Sequence, residues 1–131
     1  MYEGIREEVC RANLELNERK LVIYSWGNVS AIDRSIGVVA IKPSGVPYET
    51  LTPDQIIILD LEGRILEGEL NPSSDTPTHL ELYRRFADIG GVVVIFPKLS
   101  IHASILGRVS CALASATIES RYTLCSVALV S

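Results

Sequence analysis

The run "GGVVVIF" at residues 90–96 constrains this chain more than any other stretch. Two glycines are followed by five apolar residues, four of them β-branched, with no polar position among them. A strand that alternates can face water on one side. One that does not alternate is buried on both sides, so it belongs inside a sheet.

Other segments supply its neighbours. Residues 2–18 read as an amphipathic helix, with Ile5, Val9, Ala12 and Leu16 at helical spacing. The run "LVIYSWG" at 21–27 reads as a strand, and a second follows at 29–32 with a turn at 33–37. "VVAIKPSG" gives a strand ending at Lys42, closed by Pro43, Ser44 and Gly45. Thr52 is placed to cap a short turn with Pro53 at its first position. "IIILD" and "RILEG" flank a turn and make a hairpin. A helix is expected over 76–86, with Leu80, Tyr83 and Ala87 on one face. After Pro97, "KLSIHASILG" fits a helix closed by Gly107, and the remaining tail has no clear period.

The chain has 131 residues, enough for one domain with a sizeable core. At 47% hydrophobic and 21% charged, its composition is that of a globular protein. A net charge of -4 without a Lys/Arg cluster argues against a nucleic-acid surface, and aromatics at 6% are too scattered for a base-stacking platform. A small anion held by backbone N–H groups needs no net positive charge and stays open. Cys10, Cys111 and Cys125 are odd in number and widely spaced, so they read as packed, reduced thiols. The N-terminus carries acids early, unlike a signal peptide, and no segment is long enough for a membrane span. These features point to a cytoplasmic protein.

Three loops carry the candidate chemistry: Gly27-Asn28, the "KPSG" of Lys42 to Gly45, and the "PSSD" of Pro72 to Asp75. Each follows an apolar strand or hairpin and combines a small residue with a hydroxyl, amide or ammonium donor. Ser74 and Asp75 also stand at the mouth of a helix, where spare N–H groups favour an anion. Each loop alone is ordinary turn or cap chemistry. Together they suit a phosphate site. His79 lies one helical turn after Asp75, a spacing that suits either a metal or a capping Asp with a packed His. His102 is the other histidine. No Ser-His-Asp or Cys-His constellation can be built.

The stretches "SWGNVSAIDR", "IKPSGVPYETLTPDQ" and "NPSSDTPTHLELYRRFADIGGVV" strongly resemble the class II aldolase/adducin family, in the family's order and up to about Val93. Within it they look most like L-ribulose-5-phosphate 4-epimerase, the "SSDTPTH" form being closer to it than to fuculose-phosphate aldolase. The resemblance implies an α/β/α sandwich around a central, mainly antiparallel sheet, a homotetramer, and a sugar-phosphate substrate of pentose metabolism. It implies that Gly27, Asn28, Ser44, Gly45, Ser73 and Ser74 hold the phosphate and that Lys42 lines the pocket. Asp75 would be the acid at a zinc centre, and His79 structural. The implied reaction is retro-aldol cleavage and re-addition, with zinc stabilising an enediolate. A class II sugar-phosphate aldolase and a non-catalytic adducin-like module are the alternatives.

One departure bears on activity. The family's zinc-binding His-x-His falls on Val94 and Phe96, and neither side chain can bind zinc. The phosphate half of the implied site is present and the zinc half is not. The expectation is an impaired enzyme, with a tail over 94–131 that is truncated, frame-shifted or genuinely divergent.

Overall fold

The computed structural model describes residues 1–22, 24, 26–94 and the backbone of 122–125. The expected helix near 98–107, with His102 and Cys111, lies outside the described residues, as does Phe96.

Helix α1 spans Glu3–Glu18 and buries the predicted stripe through Val9, Ala12 and Leu16, with Cys10 also buried. Strand β1 (Asn28–Asp33) pairs antiparallel with β2 (Val38–Ile41), and β2 with β3 (Ile57–Asp60). β4 (Ile65–Glu67) closes the expected hairpin and is exposed along its length. Helix α2 spans Thr76–Arg85, and Ala87 falls beyond its end. β5 (Gly91–Val94) is buried at every position, as its unbroken apolar run requires. It pairs antiparallel with β1 and parallel with β6 (Tyr122–Cys125), giving the order β4-β3-β2-β1-β5-β6. The sheet is therefore mainly antiparallel, with a parallel pair at the β6 edge.

The two faces of the sheet bury different sets of residues. Val9 and Cys10 of α1 pack with Ala31, Val38, Ala40, Leu51, Ile56 and Ile58. On the other face Leu80 and Tyr83 of α2 pack with Val39, Val92 and Val94. The alternation of Val92, Val93 and Val94 explains this: Val93 joins Ala12, Leu16 and Val29 beneath α1, while its two neighbours face α2. Each fully buried Val, Leu or Ile side chain contributes about 1.5–3 kcal/mol, so both helices are held mainly by this packing.

The expected strand at 21–27 does not form at its described positions. Leu21 N–H returns to the Leu16 carbonyl, and Lys20 and Tyr24 take positive φ values of 56° and 55°. Both edges of β1 are already occupied by β2 and β5, so an apolar run beside it has no ladder to join. The segment serves as the link from α1 into β1. Thr52 and Pro53 open a single 3-10 turn, as expected, with the Gln55 side chain accepting the Thr52 N–H at 3.0 Å.

Candidate phosphate-binding site

The three loops meet at one end of the sheet. β1 begins there at Asn28, β2 ends there at Ile41 just before Lys42, and β5 ends there at Val94, directly opposite Asn28. The "KPSG" and "NPSSD" loops are tied to each other by backbone. Pro43 and Pro72 form an isolated antiparallel bridge, with Ser44 N–H on the Asn71 carbonyl at 2.8 Å and Ser73 N–H on the Lys42 carbonyl at 3.1 Å. Proline cannot donate to such a bridge, so its flanking residues supply the bonds.

Asn28 joins the third loop to this pair. Its Nδ2 donates to Ser73 Oγ at 2.9 Å and to Asp75 Oδ2 at 2.7 Å. An ionised carboxylate can only accept, and this fixes which end of the amide faces Asp75. Asn28 Oδ1 is then left buried with no partner among the described residues.

The site has a buried floor and an exposed rim. Gly27, Asn28, Lys42 and Ser73 form the floor, Asp75 is half-buried, and Ser44, Gly45 and Ser74 stand open to solvent. Gly27 and Gly45 hold φ values of 84° and 73°, where a side chain would be strained, so glycine is what lets both loops turn here. The N–H groups of Gly45 and Ser74 are not spent on any backbone carbonyl among the described residues. Ser73 also organises the start of α2: its carbonyl accepts Thr76 N–H at 3.0 Å and Thr76 Oγ1 at 2.6 Å.

Lys42 is only 2% exposed and makes no ion pair among the described residues. Its Nζ donates to the Pro43 carbonyl at 3.3 Å and sits 4.9 Å from the centre of the Tyr48 ring. Burial pushes its pKa below the ordinary lysine value. An ammonium so placed gains from an arriving anion. Tyr48, which sequence reasoning missed, is fully buried, and its hydroxyl donates to the carbonyls of Gly27 at 2.5 Å and Trp26 at 3.2 Å. Burial raises its pKa first, and the charge of Asp75 raises it further. Its position shortly after "KPSG" was the one available signal.

Asp75 precedes the first turn of α2 but its side chain makes no cap bond. The carboxylate turns to Asn28 instead, so the helix-capping alternative for it fails. His79 is packed, as the structural reading expected. It is fully buried, with Nδ1 2.6 Å from Ser30 Oγ, which in turn lies 2.7 Å from the Tyr83 hydroxyl. Burial pulls its pKa down to about 3, so the ring is neutral at ordinary pH.

The zinc implied by the family resemblance does not fit these residues. Val94 is 1% exposed and packs beneath α2 with Val92, Leu80 and Tyr83, so hydrocarbon fills the place of the first expected histidine. Phe96 offers no donor by its chemistry. His79 Nδ1 is engaged with Ser30 and its Nε2 is buried without a partner among the described residues, so Asp75 and His79 are at most two donors, which do not make a zinc site. Among the described residues no group of three or more His, Cys, Asp or Glu could hold a metal ion.

A separate cavity of about 600 Å³ lies at the opposite end of β1, lined by Ile5, Glu8, Asp33, Arg34 and Asp88 among others. Its one arginine is already engaged, Arg34 donating to the carbonyls of Tyr83, Phe86 and Ile89 at the end of α2. No helix among the described residues is long and apolar enough to cross a membrane.

Known structures share this fold. The chain is 31% identical to an L-fuculose 1-phosphate aldolase, covering 69% of this chain and 42% of that one with a TM-score of 0.66. It is 28% identical to YgbL from Escherichia coli, covering 70% and 43% with a TM-score of 0.63. It is 27% identical to the L-fuculose-1-phosphate aldolase from Thermus thermophilus, covering 81% and 53% with a TM-score of 0.62. The chain thus spans about half or less of the length of these proteins. The model of the class II aldolase and adducin N-terminal domain matches residues 7–124, running past Val93, where the motif resemblance stops. With nearly the whole chain matched and its loops gathered at one end of the sheet, the chain belongs to the class II aldolase and adducin N-terminal domain family.

Proposed function

We propose that this chain forms the sugar-phosphate-binding part of a class II aldolase-type enzyme. The observation that carries the reading is the joining of the three loops through Asn28 and the Pro43–Pro72 bridge. Ser73, Ser74, Ser44 and the N–H groups around Gly45 are suited to phosphate oxygens, and α2 points its N-terminal end the same way. Lys42 supplies positive charge from the floor. Holding the phosphate fixes the rest of the substrate, which is the positioning part of catalysis.

In a complete enzyme of this type, zinc would supply the charge that stabilises the enediolate. Val94 and Phe96 do not support it here, so the chain is expected to bind phosphate esters with little or no turnover. The fuculose-phosphate aldolases among the similar structures favour aldolase chemistry. The "SSDTPTH" form favours a second reading, interconversion of L-ribulose 5-phosphate and D-xylulose 5-phosphate.

Calorimetric titration with dihydroxyacetone phosphate tests the binding, and product analysis on added ketose phosphates with zinc present tests the chemistry. Binding without turnover is the expected result. Release of free dihydroxyacetone phosphate would establish an active aldolase, and exchange of the two pentulose phosphates an active epimerase. Failure to bind any phosphate ester would sink the reading.

A further inference from the structure

Asp75 places a negative charge in a site built for anions. Its Oδ2 occupies the Asn28 Nδ2 donor at 2.7 Å, and no Lys or Arg pairs with it among the described residues. Lys42 is directed at the Pro43 carbonyl and the Tyr48 ring instead. A bound cation would neutralise such an acid, but Val94 removes a donor from the place where one would be held.

A second observation points to a ligand. Asn28 is 3% exposed, and its Oδ1 is buried without a partner while its Nδ2 is shared between two acceptors. A buried acceptor left this way is costly unless something arrives to donate to it. A phosphate monoester carrying a nearby hydroxyl would bring that donor, and its phosphate would meet the Ser73, Ser74 and Gly45 groups. Asp75 would then face a dianion across the same amide.

We propose that Asp75 is an anionic gate on this site: its carboxylate engages the Asn28 amide and repels a phosphate monoester, so removing that one charge turns a weak site into a tighter one. The proposal rests on the phosphate-binding reading above. It makes Asp75 a brake on binding in this chain and not a contributor to it.

Asp75→Asn isolates the charge. The new side chain keeps an oxygen for Asn28 Nδ2 to donate to. The start of α2 is undisturbed, because Thr78 and His79 N–H bond to the residue-75 carbonyl and not to its side chain. The parent chain and D75N are titrated with inorganic phosphate by calorimetry, at low and high NaCl, with EDTA and then with ZnCl2. D75S, which removes both charge and contact, gives an independent measurement should D75N misfold.

D75N is expected to bind phosphate about tenfold tighter than the parent at low salt, with the gap narrowing as salt screens the repulsion. EDTA should change neither. If the parent binds phosphate and the variants bind no more tightly, the gate is wrong and the phosphate site stands. If zinc raises the parent to the level of D75N and leaves D75N unchanged, neutralising Asp75 is what tightens the site, which supports the gate and overturns the reading that no cation is held beside it. If no form binds phosphate, the phosphate reading fails and takes the gate with it.

Discussion

His79 shows how one side chain can tie the stability of this protein to pH. Its folded pKa of about 3 lies below the ordinary histidine value of 6.5, because burial disfavours the charged ring. Above pH 6.5 the ring is neutral whether folded or unfolded, and its contribution is fully present. As pH falls toward 3 the unfolded chain takes up a proton that the folded chain refuses, so stability is lost over that window. The slope from this one group is about 1.4 kcal/mol per pH unit once below its unfolded value. Urea unfolding between about pH 6.5 and 4.5 should show it, and His79→Gln should flatten the curve. An unchanged slope in the variant would mean that His79 is not the titrating group. The same burial argument separates the two members of the Asp75/His79 pair: one reaches the site and the other packs behind it, although they lie on one helix face.

At the scale of elements, the join between α1 and β1 depends on a polar residue that the helical periodicity hid. Asn13 is fully buried, donates to the carbonyls of Val9 at 2.8 Å and Val29 at 3.1 Å, and accepts Val29 N–H at 2.9 Å. It holds β1 one residue from Asn28, so the site inherits its position from this contact. Asn13→Ala would leave Val29 N–H buried without its acceptor and is expected to cost about 3 kcal/mol. Denaturant midpoints would measure it, and a loss below about 0.5 kcal/mol would show that a replacement partner exists. The helices and most strands were legible because apolar spacing reports burial directly. Residues 21–27 misled for a physical reason: their β-branched and aromatic composition suits a strand, but no free sheet edge lies beside β1 to receive one. Trp26 stands 59% exposed as a result.

For the whole molecule, the strand order sets where stability concentrates. β1, β2, β3 and β5 each have a neighbour on both sides, while β4 sits at an edge, exposed, with an irregular register against β3 between Ile58 and Leu59. Hydrogen exchange is expected to be slowest in β1 and β2 and much faster in β4. Equal protection across β4 and β2 would contradict this ordering. The parallel placement of β6 beside β5 puts a tail segment into the sheet, which the lack of period after Pro97 gave no reason to expect.

The amino-acid sequence by itself determined which segments could be buried, where the chain had to turn, and which chemical groups each loop could offer. It also determined that Val94 and Phe96 have no metal donor to give, since that follows from side-chain identity and not from position. Only the tertiary structure decided that Asn28 meets Ser73 and Asp75, respectively 45 and 47 residues further along the chain. Local periodicity encodes burial residue by residue. Contacts across such separations depend on strand order and register, which settle only when the whole sheet packs between its helices.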